Sequence, residues 1–226
     1  MRKPSSWLWS ATTALMLSAC GGGGGDAAQS AGPFAVNAAL GHLLVTGGSW
    51  TMNGTANGQG FTLTLAFAPL AAGPFPVTGA MSAQSLQTLT LVSAGQSNSG
   101  TDTIYFDAAT HAIVGLQADG ACSVATANTA LPVTAAAGAS GAIFTESDLD
   151  GCTNSSLVLG SATNTWSVAS DTGIALLCWN LAAKDAAGTP NGTESICIEV
   201  AADGTLGRKA RFAFAAGAVT ISARNF

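Results

Sequence analysis

The chain has 226 residues, of which 8% are charged, and a formal net charge of −5 at neutral pH. It is long enough to bury a substantial core. All twelve Asp and Glu residues follow residue 20, whereas only five of the seven Lys and Arg residues do. Because nucleic-acid binding depends on neutralising phosphates with Lys and Arg, this composition argues against a nucleic-acid partner.

The first twenty residues have the layout of an export signal. Arg2 and Lys3 form a basic start, and residues 7–17 form an apolar run with small polar interruptions. This run is shorter than the roughly 20 apolar residues needed to span a hydrocarbon core, so it indicates a signal peptide. No later segment reaches that length without polar breaks, and we expect no other membrane crossing.

The segment Leu17-Ser18-Ala19-Cys20 closes this region. It resembles the lipobox of bacterial lipoproteins; the alternative is an ordinary secretory signal with a chance cysteine at the cleavage site. The resemblance implies that residues 1–19 are removed as a signal peptide. It also implies that Cys20 is the lipid attachment site, with a thioether-linked diacylglycerol and an added acyl chain such as palmitate.

The residues after Cys20 are dominated by glycine, with residues 21–25 all glycine. Glycine gives the backbone its widest freedom, so residues 20–32 are predicted to be a lipid anchor and a flexible tether. In the lipoprotein family, an aspartate directly after the cysteine commonly marks retention in the inner membrane. This chain has Gly21 there, so the resemblance implies the envelope of a Gram-negative bacterium and favours the outer membrane.

Beyond residue 32, apolar and polar residues alternate. Residues 61–67 show this period of two, which is typical of a half-buried strand. Turn formers such as Asp119-Gly120 and Asn191-Gly192 punctuate the rest. The pattern predicts an all-β fold, an antiparallel β-sandwich or barrel, without a long amphipathic helix. Further strands are predicted at residues 43–46, 49–53, 86–92, 103–106, 112–116, 165–169, 174–181, 195–200, 211–214 and 218–223.

A weak internal similarity divides this part of the chain. Trp50 and the strand that follows it resemble Trp166 and the strand that follows it. The order of the similar segments is preserved while the spacings differ. This predicts two related β-modules, residues 33–118 and 119–226, with any disulfides in the second; the alternative is one domain over residues 33–226.

Four cysteines remain once Cys20 is assigned to the lipid, and in an oxidising compartment they are expected to form two disulfides. Three connectivities are possible. Residues 184–192 are dense in turn formers, and folding the flanking apolar runs into a hairpin places Cys178 opposite Cys197. The predicted pairs are therefore Cys178–Cys197 and, by elimination, Cys122–Cys152.

The residue sets of common hydrolases are not found. His42 and His111 are the only histidines, and no G-x-S-x-G motif accompanies them. We expect His42 at a strand start and His111 in a hairpin turn, both facing solvent. The chain is therefore predicted not to be an enzyme and to need no cofactor.

Glu146, Asp148 and Asp150 are the strongest candidate metal ligands, because three carboxylates at alternate positions could converge on Ca²⁺. The segment lacks the glutamate that an EF-hand loop needs at its twelfth position, where Leu157 stands. The alternative is an acidic surface loop held by a disulfide, and we predict no metal site. Trp50, Trp166 and Trp179 could stack on sugars, but tryptophans in strands are more often part of the core.

In layout, the chain after residue 32 resembles the uncharacterised β-rich lipoproteins of Gram-negative bacteria. The resemblance implies no known activity. We predict a lipid-anchored cell-envelope protein that acts as a non-enzymatic binding or structural module. The membrane is its expected partner through the anchor, with a further protein or glycan partner unspecified. The alternative is an envelope carbohydrate- or calcium-binding protein.

Overall fold

The structure, a computed structural model, describes residues 32–56 and 59–226. The predicted signal peptide, the lipid site at Cys20 and nearly all of the tether lie outside the described residues. Within them, the chain forms one helix followed by twelve strands. They are α1 Val36–Val45, β1 Gly48–Ala56, β2 Gln59–Pro74, β3 Met81–Ser93, β4 Gln96–Phe106, β5 Ile113–Ala118, β6 Ala121–Asn128, β7 Ser140–Leu149, β8 Val158–Asp171, β9 Ile174–Asp185, β10 Pro190–Val200, β11 Leu206–Ala216 and β12 Val219–Arg224.

The twelve strands form a closed barrel in which each pairs with its neighbours in sequence and β12 pairs with β1. Every pairing is antiparallel. The prediction of an all-β, antiparallel fold is confirmed, and the barrel form is the one adopted. The seam between β1 and β12 is short, with three residue pairs from Asn53↔Arg224 to Thr55↔Ser222. Beyond it, the Trp50 Nε1–H donates to the Gly207 carbonyl at 2.9 Å and joins β1 to β11.

The period of two decides which side chains face the barrel interior. On β2, the buried residues Phe61, Leu63, Leu65 and Phe67 alternate with partly exposed small residues. A strand buried on one face needs this alternation, because successive side chains point to opposite faces of the sheet. The interior is the main hydrophobic core, and the outer face is largely Thr, Ser and Ala.

Helix α1 lies against the inside of the wall and belongs to the same core. A barrel of twelve strands encloses more space than the side chains of its own wall fill, because the diameter grows with strand number. The helix supplies the missing volume with Leu40, Leu43 and Leu44, all buried. The cavity left between α1 and the wall is only about 20 Å³.

The strand predicted at residues 43–46 is wrong, because these residues belong to α1 or to its C-terminal cap. The helix is apolar on most of its surface, so its sequence lacks the amphipathic period. It ends at Val45 with Thr46 as its C-terminal cap, and the next residue, Gly47, has a φ of 74° that suits glycine after a helix. The Gly47 N–H bonds to the His42 carbonyl at 3.0 Å.

The barrel has two unlike ends. At the helix end, α1 is held by the connections β6–β7 and β10–β11: the Ala35 N–H donates to the Ala202 carbonyl and the Asn37 N–H to the Pro132 carbonyl. At the opposite end, here called the far end, lie the connections β3–β4, β5–β6, β7–β8, β9–β10 and β11–β12. In the described part of the chain, no helix has both the length and the apolar character needed to cross a membrane.

Two disulfides join neighbouring parts of the wall, and they are the two pairs expected from the sequence. Cys178–Cys197 links β9 to β10 at directly opposed positions. Cys122–Cys152 ties the β7–β8 connection to β6. The predicted boundary between two modules falls in the turn between β5 and β6, inside the one barrel, and the relatedness of the two halves stays a prediction.

Candidate functional site

Four carboxylates point into the barrel towards its far end. Each stands on the inner face of its strand, two residues from another inward-facing side chain. On β4, Asp102 lies two residues before the inward-facing Ile104, and on β10, Glu194 lies two residues before the inward-facing Ile196. On β7, Glu146 lies two residues after the inward-facing Phe144, and Asp148 lies two residues after Glu146. The four residues are Asp102, Glu146, Asp148 and Glu194, here called the acidic cluster.

The expectation that Glu146, Asp148 and Asp150 lie on one surface loop is wrong. Glu146 and Asp148 are strand residues of β7, and their alternation places both inside the barrel. Asp150 begins the connection to β8, and its Oδ1 accepts the Leu157 N–H at 3.0 Å. Among the described residues, no group of three or more His, Cys, Asp or Glu side chains is placed to hold a metal ion.

Glu146 is the most enclosed member of the cluster, with 3% of its surface exposed. Its Oε1 accepts a hydrogen bond from Asn164 Nδ2 at 3.0 Å, and Asn164 Oδ1 accepts the Trp179 Nε1–H at 2.7 Å. Its Oε2 is buried without a hydrogen-bond partner. Buried polar atoms are almost always paired, because an unpaired one loses the hydrogen bonds that it makes with water.

Burial raises the pKa of all four carboxyl groups above their ordinary values. It raises the pKa of Glu146 to about 7, with the charge of Asp148 adding to the effect and the Asn164 hydrogen bond opposing it. Burial and the charge of Asp102 raise the pKa of Glu194 to about 7. Burial and the charge of Asp119 raise the pKa of Asp102 to about 6. Burial also raises the pKa of Asp148, against a hydrogen bond from Ser123.

The basic residues do not balance this charge. On the register of the strands, Lys184, Lys209, Arg211 and Arg224 face outwards, as their neighbours in sequence face the core. Arg208 lies near the start of β11, at the helix end. In residues 32–56 and 59–226, therefore, no Lys or Arg side chain faces the interior beside the acidic cluster.

Apolar side chains surround the carboxylates and are less covered than those near α1. Leu89 and Leu91 on β3, Leu181 on β9 and Phe214 on β11 face inwards yet are partly exposed. Asp102, Asp148 and Glu194 are partly exposed as well. The far end of the interior is thus a mixed apolar and acidic surface that solvent reaches.

The histidines differ in part from their expected positions, whereas the tryptophans lie in or against the core. The expectation that His42 starts a strand is wrong: it lies exposed on α1 and bonds through Nδ1 to the Gly204 carbonyl at 3.0 Å. His111 is in the predicted β4–β5 turn but is partly buried, with its ring close to Gly41 of α1. Trp50 and Trp166 are buried in the core, and Trp179 is partly buried.

Sequence reasoning missed Asp102, Glu194 and Asn164. Each is a polar residue two positions from a buried apolar residue on the inner face of a strand, a signal that is visible only once the phase of the alternation is known. The register supplies that phase: Asp102 pairs with Gln87, and Glu194 with Phe214.

A second concavity, of about 400 Å³, lies on the outer face of β8 to β12. Its lining combines hydroxyl-bearing residues such as Thr163 and Thr193 with Leu181, Phe214 and Glu194, which alternate towards the interior. We assign no function to this concavity.

Comparisons with known proteins leave the site to be interpreted from its own geometry. No protein-family model matches the chain, and no curated protein and no solved structure is significantly similar to it.

Proposed function

We propose that the protein is a lipid-anchored binding protein of the bacterial cell envelope, and that the far end of its barrel is the binding face. The observation that carries this proposal is the contrast between the two ends. The helix end is filled by α1, whereas the interior at the far end partly exposes apolar side chains together with Asp102, Asp148 and Glu194. Ligand sites in barrels commonly lie at such a mouth, where a few polar groups stand in an apolar surface.

The orientation of the chain supports the same assignment. The described chain enters the barrel at the helix end, through Phe34, which pairs with Ala135 of the β6–β7 connection. A tether from Cys20 would therefore attach to the helix end and leave the far end directed away from the lipid. The anchor rests on the lipobox resemblance, and the binding face rests on the barrel geometry.

The anchor is tested by intact mass spectrometry of protein extracted from membranes of a Gram-negative host. We expect the mass of a chain that begins at Cys20 and carries acyl groups, and release into the soluble fraction for Cys20→Ser. A chain found in membranes with an unmodified Cys20 would contradict the anchor.

The binding face is tested by thermal unfolding of the protein with Ca²⁺, cell-wall fragments, glycans and small charged compounds. A ligand at a hundred times its dissociation constant adds about 2.7 kcal/mol of stability, which raises the midpoint by several degrees. Leu91→Trp, on the inner face, is expected to abolish such a shift. Val92→Trp, the next residue and on the outer face, is the control and is expected to preserve it. A shift that survives Leu91→Trp would place the ligand elsewhere.

A further inference from the structure

The acidic cluster concentrates negative charge in a part of the interior where the described residues supply no Lys or Arg side chain. Three strands contribute to it: β4, β7 and β10. In a barrel of twelve strands, β4 and β10 lie on opposite walls. Asp102 on β4 and Glu194 on β10 both face the interior from these opposite walls, and the charge of Asp102 raises the pKa of Glu194. A positive group placed between the walls would be attracted by both.

Glu146 has one carboxylate oxygen without a hydrogen-bond partner. Its Oε1 accepts from Asn164, and an interaction with the Ser123 side chain also lowers its pKa, whereas the buried Oε2 makes no hydrogen bond. An ionised carboxylate in that position needs a cationic donor to offset its loss of water. Asp148, two residues nearer the far end on the same face, is partly exposed and marks the route by which such a donor would enter.

The surroundings favour an organic cation over a metal ion. A divalent metal needs several oxygens that converge within about 2.5 Å of one point, whereas these carboxylates are distributed over three strands. Partly exposed Leu89, Leu181 and Phe214 add apolar surface beside them. An ammonium or guanidinium group on a short apolar body matches both features, because its N–H donors can reach separate carboxylates while its carbons cover the leucines and Phe214.

We propose that the far end of the barrel binds a small organic cation bearing an ammonium or guanidinium group, with Glu146 Oε2 as its deepest hydrogen-bond acceptor. Asp148, Asp102 and Glu194 complete the negative surface around it. This inference rests on the proposed binding function and names the ligand class for the same face.

The test is isothermal titration of the full-length protein with agmatine, which carries both an ammonium and a guanidinium group. We expect binding to the native protein and a loss of at least tenfold in affinity for Glu146→Gln, which keeps an oxygen for Asn164 but removes the charge. Glu199→Gln is the matched control, because it makes the same chemical change at a residue on the outer face. Its affinity should equal that of the native protein.

The pH dependence gives a second readout. Asp102, Asp148, Asp119 and Glu194 are the titratable groups that face or influence Glu146 and one another. If agmatine binds only the ionised form of a carboxyl with a pKa of about 7, its apparent affinity is about tenfold lower at pH 6 than at pH 8. Circular dichroism of each variant shows whether a lost signal reflects unfolding.

The position of the ligand can be read from Trp179, which is linked to Glu146 through Asn164. Agmatine is expected to change tryptophan emission in the native protein and to leave that of Trp179→Phe unchanged. Binding that is equally strong in Glu146→Gln, or a response to calcium chloride but not to agmatine, would overturn the proposal.

Failure of this proposal can be told from failure of the proposed function. If agmatine does not bind, but another compound gives a thermal shift that Leu91→Trp abolishes, the far end is a binding face for a different chemistry. If no compound gives such a shift and agmatine does not bind, both proposals are contradicted.

Discussion

The two ends of the barrel share the same strands but are stabilised differently. At the helix end, Phe34, Leu44 and Phe106 are almost completely buried, and α1 leaves a cavity of only about 20 Å³ against the wall. At the far end, side chains on the same inner face, such as Leu91 and Phe214, are partly exposed, and carboxylates stand among them.

This difference indicates where the free energy of folding resides. Apolar burial is the main favourable contribution to folding, so the helix end carries more of the stability. The far end can therefore hold partly desolvated carboxylates that would destabilise a tightly packed core. Binding sites are commonly drawn from such regions of lower local stability.

The largest expected effect separates the ends by a matched pair of truncations. Leu44→Ala removes a fully buried side chain of α1 and should lower the free energy of unfolding by about 3 to 4 kcal/mol, through lost burial and the cavity that remains. Leu91→Ala, partly exposed at the far end, should cost about 1 kcal/mol or less. Urea unfolding of both variants measures the difference, and equal losses would mean that the ends contribute alike.

A second prediction concerns the stability of the far end as pH rises. The folded-state pKa of Glu146 and of Glu194 is raised from 4.5 to about 7, so the folded protein holds protons that the unfolded chain releases. Their contribution to stability is fully present below about pH 4.5 and is lost as pH rises through 7. A shift of this size corresponds to about 3 kcal/mol per group at most.

Thermal midpoints measured from pH 4.5 to pH 8 test this sign. The native protein should lose stability over that interval, and Glu146→Gln should flatten the curve and be the more stable protein at pH 8. Glu199→Gln serves again as the control on the outer face. A native protein whose midpoint rises between pH 4.5 and pH 8 would contradict the assignment.

A third, smaller effect compares two tryptophan hydrogen bonds. Trp50→Phe removes the donor to the Gly207 carbonyl that joins β1 to β11 and should cost about 1 kcal/mol. Amide hydrogen exchange in this variant should quicken in β1 and β11 and remain unchanged in β7. Trp179→Phe removes the donor to Asn164, and the faster exchange should then appear in β7 and β8 instead. Exchange that quickens evenly over the barrel in both variants would show that neither bond acts locally.

The smallest expected effect lies in two hairpin turns. Thr172 and Ala94 both precede a glycine and have positive φ values, 48° and 49°. Asparagine adopts this conformation more readily than either residue, and a β-branched residue adopts it least. Thr172→Asn, at the helix end, should therefore stabilise the protein by about 0.5 kcal/mol, and Ala94→Asn, at the far end, by less. Thermal midpoints measure both effects. Destabilisation by Thr172→Asn would show that the positive φ of Thr172 does not strain the backbone.

Local features of the fold can be predicted from the amino-acid sequence alone. The alternation at residues 61–67 predicts β2, because a strand with one buried face needs a period of two. The turn-forming residues 184–192 predict the hairpin that places Cys178 opposite Cys197, and both disulfides are present in the structure. These features depend on neighbours in sequence, so local physical chemistry suffices to predict them.

Other features of the fold depend on contacts between residues that are distant in sequence. Residues 43–46 became part of a helix because a barrel of twelve strands needs an apolar body inside it, and that need is invisible in the segment itself. The sequence predicts a surface loop at Glu146 and Asp148, whereas the register of β7 places both side chains inside the barrel. Asp102 and Glu194 face the same interior because closure of the barrel places their strands on opposite walls. Closure depends on all twelve strands, so no single segment of the sequence predicts it.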